Sequence, residues 1–333
     1  MIVVLCLFCG PLSAAQQPDA QQAPQLRSTT ELVKLDTSVL DQNGKFVAGL
    51  TAHDFRVLDN GAEQPVAFFA PVQEPAQILV MLETSPAVYL IQNEHIAAAD
   101  ALLDGLATND QVALVTYDIT PHAILSFTPD KSALLAALKK VQYTIGMGDL
   151  NLYNSISTVL DWTGSSIGKK ALVLLSTGLD SSPPPNWDAL VQKLRGQDIV
   201  IFSVALGGSL RGGPIDKSEP KRKAANGKHQ SKLPSSESSG TFAKGDAALR
   251  SLASMTGGRA YFPESGSDFA PIYRQIASTL RNEYVLGIAP AQDGQFHSLT
   301  VELIDHAAVS SNAHAKDPAY RIFARAGYLA PRP

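Results

Sequence analysis

Gln77-Ile78-Leu79-Val80-Met81-Leu82-Glu83 is the stretch that decides the fold. It is a continuous β-rich apolar run with no polar alternation, as expected of a strand covered on both faces. Both sides of it repeat the theme. A helical pattern runs from Leu90 to Leu106, and a second buried strand reads QVALVTYD (Gln111–Asp118). AILSF (Ala123–Phe127) suits an antiparallel edge strand. Amphipathic helices follow at Lys131–Val141 and Leu152–Trp162, then a strand KKALVLLST (Lys169–Thr177), a helix Trp187–Arg195 and a strand DIVIFSVAL (Asp198–Leu206). Strands alternating with helices predict a doubly wound, mostly parallel α/β sheet flanked by helices, with right-handed crossovers.

Working outward, residues 208–245 break the pattern. They are rich in Gly, Ser, Pro and Lys, with almost no large apolar residues, and read as a long disordered insertion. Its basic stretch Lys217–Lys232 reads as a solvated loop. After it come a helix, a Gly-Gly turn and the short strand of TGGRAYF (Thr256–Phe262). A helix over Asp268–Asn282 carries Phe269, Ile272, Ile276 and Leu280 at helical spacing. The α/β domain therefore spans 75–282. Before it, LVKLDTSVLD alternates as a strand, and turns at Gln42–Lys45 and Asp59-Asn60-Gly61 define a β unit over 31–72. After it, EYVLGIAP, FHSLTVELI and YRIFARAGY define a second β unit over 283–331. The two β units are expected to form one β-sandwich-like companion with the α/β domain inserted between them.

The first fifteen residues, MIVVLCLFCGPLSAA, read as a signal peptide: an apolar run ending in small residues, followed by a polar Gln/Pro/Ala linker over 16–30. The run lacks the usual basic start, and a buried strand is the competing reading. Export predicts a secreted or periplasmic protein that is not transmembrane once the signal is removed, since no later stretch is apolar for long enough to cross a bilayer. Both cysteines, Cys6 and Cys9, lie in this segment, so the mature chain has no disulfide and no thiol chemistry. A chain of 333 residues with 45% hydrophobic residues can build more than one core. Its net charge of −4 argues against a nucleic-acid partner.

No enzyme motif stands in the context its chemistry needs. The histidines His53, His95, His122, His229, His297, His306 and His314 form no zinc-binding pair and read mostly as surface or turn residues. The one Gly-x-Ser-x-Gly spacing, Gly164–Gly168, precedes a strand where a nucleophile elbow must follow one, so it is not read as an elbow, and there is no phosphate-binding loop. Phe68-Phe69 and Trp162 read as core. No cofactor is expected.

Three phrases resemble the von Willebrand factor type A family. MLETSPA (Met81–Ala87) is similar to its Asp-x-Ser-x-Ser strand end. GDLNLYN (Gly148–Asn154) resembles Gly-Gly-Thr-Ala-Leu-Tyr-Asp, and LSTGLD (Leu175–Asp180) resembles Leu-Ser-Asp-Gly. The flanking phrases LDTSVLDQNGKFVAGLTAHDFRVLDNG and EYVLGIAPAQDGQFHSLTVEL resemble bacterial, often acidobacterial, secreted proteins that carry this domain. The resemblance implies a Rossmann-like sheet and a metal-ion-dependent adhesion site at its C-terminal edge, holding Mg²⁺ or Mn²⁺ for a partner carboxylate. Here Glu83 stands for Asp, Ser85 matches the first serine, Ala87 replaces the second, Leu150 replaces Thr, and Thr177 replaces Asp. Hard cations need several oxygen ligands, charged ones above all, so the site is expected to be degenerate. A rearranged set of Glu83, Ser85, Asp149, Thr177 and Asp180 is the candidate for any remaining Mg²⁺ or Mn²⁺, with Pro86 and Asn151 placed to touch a partner. The function implied is a secreted, non-enzymatic protein-interaction module of unknown partner. The alternative is a structural envelope scaffold with a relic site and no ligand at the top face.

Overall fold

The computed structural model describes residues 32–72, 75–89, 92–144, 149–163, 169–181, 185–206, 236–304 and 320–332. The signal and linker readings at 1–30 lie outside them, as does most of the insertion.

The α/β domain is built from β5 (Ala76–Glu83), α1 (Pro86–Tyr89), α2 (Gln92–Gly105), β6 (Gln111–Tyr117), β7 (Pro121–Thr128), α3 (Lys131–Leu138), α4 (Leu152–Thr163), β8 (Lys169–Ser176), α5 (Pro185–Arg195), β9 (Val200–Ala205), α6 (Ser236–Met255), β10 (Ala260–Tyr261) and α7 (Phe269–Arg281). Its six strands run in the order β10-β9-β8-β5-β6-β7. All neighbours are parallel except the β6–β7 hairpin. The quoted heptapeptide is thus central, with β6 on one side and β8 on the other. The chain leaves β5 toward β6 and later returns to β8, so the sheet reverses direction at β5. In such sheets the crevice beyond the strands' C-terminal ends is where ligands bind.

Alternate residues of β5 face opposite layers. Ile78, Val80 and Leu82 pack in a core with Leu102, Leu134, Ile276 and Leu280 of α2, α3 and α7. Leu79 and Met81 pack with Ile156, Leu160, Leu190 and Leu252 of α4, α5 and α6. Each such buried side chain contributes about 1.5–3 kcal/mol, so a polar residue on either side of β5 would be costly, and none occurs before Glu83 except Gln77 at the strand's start.

The companion is a sandwich of two four-stranded sheets. β1 (Val33–Asp41), β4 (Phe68–Val72), β11 (Glu283–Ile288) and β13 (Tyr320–Phe323) form one, in the order β13-β1-β11-β4. β2 (Phe55–Asp59), β3 (Ala62–Gln64), β12 (Phe296–Leu303) and β14 (Gly327–Leu329) form the other, in the order β14-β12-β2-β3. All pairings are antiparallel. Strands from before and after the α/β domain alternate in the first sheet, and in the second the N-terminal pair β2–β3 joins the C-terminal pair β12–β14 through β2 and β12. Between the sheets, Tyr284 stacks on Phe46 and Phe69 with centroids 5.2 and 5.5 Å apart. Its hydroxyl donates to Val47 O at 2.8 Å and accepts from Leu50 N–H at 3.1 Å.

Four local expectations are corrected. Helix α6 begins at Ser236, inside the stretch read as insertion; its first residues are polar, but extending a nucleated helix costs far less than starting one. YRIFARAGY is two strands, because the chain crosses from one sheet to the other between Phe323 and Gly327. Phe68 and Trp162 are 49% and 51% exposed, and only Phe69 packs inward, because the two phenylalanines occupy opposite faces of β4. His297 is enclosed between two carboxylates rather than being a surface residue. Among the described residues no helix is long and apolar enough to cross a membrane.

Candidate functional site

Three strands end together at the top of the sheet, and each ends in a polar residue. β5 ends in Glu83, β6 in Tyr117 and β8 in Ser176, which Thr177 follows. All four side chains are buried, Glu83 completely. A buried carboxylate is tolerated only where donors replace its water. Here Oε2 of Glu83 accepts from Thr177 N–H at 2.7 Å, from the Thr177 hydroxyl at 2.9 Å and from the Ser176 hydroxyl at 3.1 Å. Oε1 lies 3.0 Å from the same Thr177 hydroxyl.

The Tyr117 hydroxyl lies 3.1 Å from Glu83 and 2.7 Å from Ser176 Oγ. It has one hydrogen, and the shorter contact assigns it to Ser176, whose own hydrogen then goes to Glu83. Ser176 Oγ also accepts Gly178 N–H at 2.9 Å. Burial, then the Glu83 charge, push the Tyr117 hydroxyl well above its ordinary pKa, so it stays a donor.

The top loops are tied to this centre and to each other. Thr84 donates to Tyr117 O through both its N–H and its hydroxyl, and its carbonyl accepts Thr144 N–H at 2.9 Å. Leu150 and Ser181 exchange hydrogen bonds at 2.7 and 3.2 Å.

The sequence-derived site residues separate into two groups. Glu83 and Thr177 are in direct contact. Ser85 is buried, and its Oγ has no hydrogen-bond partner among the described residues. Asp180 turns its Oδ2 to Tyr153 N–H at 2.8 Å, in the first turn of α4, where a carboxylate complements the helix end. Asp149 is exposed. Asn151 spends its backbone on Asp118 O and Ser155 N–H, and Pro86 is exposed at the start of α1. Tyr117 and Ser176 were missed. Both are strand-end residues with no motif around them, although a polar residue ending an apolar run is a signal in itself.

This donor set does not fit the divalent ion that the resemblance implies. Glu83 is the one carboxylate at the centre, and its Oε2 is already shared among donors. Thr177 supplies only a neutral oxygen where the resemblance implies a carboxylate, which leaves the centre with a single charge. Among the described residues no three His, Cys, Asp or Glu side chains are grouped to hold a metal.

The family model of the von Willebrand factor type A domain matches residues 92–268. No curated protein matches the chain in sequence. Among solved structures, an aerotolerance-related membrane protein from Bacteroides fragilis is similar at 14% identity and TM-score 0.43, covering 61% of this chain and 98% of that one. The von Willebrand domain of a type V pili tip protein from Porphyromonas gingivalis is similar at 13% identity and TM-score 0.43, covering 63% and 96%. A von Willebrand factor type A protein from Catenulispora acidiphila is similar at 11% identity and TM-score 0.43, covering 84% and 72%.

Proposed function

Because the chain belongs to the von Willebrand factor type A domain family, we propose that it is an exported, non-enzymatic protein-interaction module whose top face engages its partner without a bound cation. The observation that carries the cation-free reading is the enclosure of Glu83. Its carboxylate is satisfied by Thr177 and Ser176, with Tyr117 behind them, so the charge that a metal would neutralise is met by hydrogen bonds. The exposed residues of the same face, Pro86, Asp149 and the half-exposed Ile119, are then what a partner meets. Export rests on the N-terminal sequence, and the binding role on the family match.

Calorimetric titration with Mg²⁺, Mn²⁺ and Ca²⁺ tests the cation-free reading. No binding heat is expected at millimolar ion. A heat that is present in the native chain and vanishes in Glu83→Ala would overturn it. Capture of partners from envelope extract tests the interaction. Loss of a captured protein in an Asp149→Ala/Asn151→Ala double variant supports the top face. Loss only on altering the sandwich surface would favour a structural scaffold.

A further inference from the structure

The sandwich holds a histidine between two carboxylates. His297 is the second residue of β12, and its side chain is 12% exposed. Nδ1 lies 2.6 Å from Asp59 Oδ1 at the end of β2, and Nε2 lies 3.0 Å from Asp293 Oδ2 in the loop between β11 and β12. A carboxylate can only accept, so each ring nitrogen needs a hydrogen, and only the imidazolium has two.

The ring is coupled directly to the C-terminal strand. His297 is paired across the sheet with Tyr328 of β14, and their rings are 5.3 Å apart. Tyr328 donates to Asp59 Oδ2 at 2.9 Å, so one buried carboxylate serves His297 with one oxygen and Tyr328 with the other. The Tyr328 hydroxyl in turn accepts Ala291 N–H at 2.9 Å. Strand β14 has three residues. Beyond its ladder, the tail is held by Ala330 N–H to Gln295 O at 2.8 Å and Gly294 N–H to Pro331 O at 3.1 Å. The loop that carries Asp293 is therefore the loop that holds the tail.

We propose that His297 is a proton-operated latch on the C-terminal strand: the doubly protonated ring holds the 291–295 loop and β14 onto β12, and loss of one ring proton releases them. The proton lost is the one on Nε2. Asp59 is buried and has no water to turn to, so it keeps Nδ1–H. Nε2 then presents a lone pair to Asp293, which is about half exposed and swings to solvent.

The charged and titratable groups around the ring are Asp59 from β2, Asp293 from the loop and Tyr328 from β14, with Arg332 lying against Gly294 of the same loop. Asp293 first, then Asp59, raise the imidazole above its ordinary value of 6.5. The folded value exceeds the unfolded one. The latch is therefore complete below the unfolded value and is lost as pH rises through the folded one. Asp293 is held below its ordinary value by Gln295 N–H and by His297, so the acid limit lies where Asp293 itself takes a proton.

Hydrogen exchange of the full chain between pH 5.5 and 9, corrected for intrinsic exchange, reads the latch at residues 291–295 and 326–330. Protection there is expected to fall about two- to fivefold, the size of an exposed ion pair, as pH crosses a His297 midpoint above 6.5 followed by NMR. The central sheet should show no such step. In His297→Gln the step should be gone. Asp293→Asn, which leaves the buried pair intact, should lower the midpoint toward the ordinary value. A His297 midpoint at or below 6.5, or the same pH profile in wild type and either variant, overturns the proposal.

Discussion

Thr177 is the residue on which the top face turns. It stands where the family places a carboxylate, and it gives Glu83 both a backbone and a side-chain hydrogen bond. Removing the hydroxyl while keeping the shape isolates its contribution. Thr177→Val should leave a fully buried carboxylate short of one donor and destabilise the chain by about 1–3 kcal/mol, read as a lowered urea midpoint with an unchanged slope. Thr177→Asp should cost more, because it sets a second carboxylate against the first in a buried site. Added Mn²⁺ should then raise its melting temperature while leaving the wild type unmoved; an equal response in both would mean that the native site already takes the ion. The substitutions at 83, 87, 150 and 177 were legible in the sequence. The hydrogen bonding around Glu83 was not legible, because Tyr117 and Ser176 reach it from neighbouring strands and nothing local marks them.

At the scale of elements, the loop after β8 is held by the helix behind it. Gly178 has φ +78°, a conformation that favours glycine, and a Cβ there would come within 2.7 Å of the Gly245 carbonyl in α6. A Cβ on Gly245 would meet the Gly178 carbonyl at 2.9 Å and Thr177 O at 3.2 Å. Helix and loop touch backbone to backbone, so neither side can give by rotating a side chain. Gly245→Ala, which adds a methyl without changing the helical φ, should destabilise by about 1–3 kcal/mol and loosen the Thr177–Glu83 contact. Faster exchange at residues 177–179 would show the second effect; a melting temperature like wild type would refute the first. The strands and helices themselves were readable because their apolar runs must fill two layers at fixed periods, as Ile78 and Leu79 show by pointing opposite ways. The start of α6 was not, since its polar first turns carry no periodicity.

The whole molecule is joined at the opposite end of the sheet by a buried ion pair. Lys169 opens β8 of the α/β domain and Glu283 opens β11 of the sandwich. Their charges are 2.5 Å apart, with side chains 3% and 6% exposed. Lys169 Nζ also donates to Leu280 O at 2.8 Å, at the end of α7, just before the chain passes into β11. Burial, and then the neighbouring Asp36 of β1, push Glu283 up to about 7 against the pull of Lys169. Such a pair adds little by itself, since desolvation offsets most of the attraction, but either half alone is a charge without water. Lys169→Met should therefore cost about 3–5 kcal/mol, and Glu283→Leu a similar amount. The double variant, in which two apolar side chains meet, should lose far less than the sum. Because β1 lies between β11 and β13 in one sheet and β2 pairs with β12 in the other, both ends of the chain are needed to complete either sheet. The losses should appear in a single unfolding transition seen by probes in both parts. Two separate transitions, with only one moved by Lys169→Met, would mean that the pair does not couple the α/β domain to the sandwich.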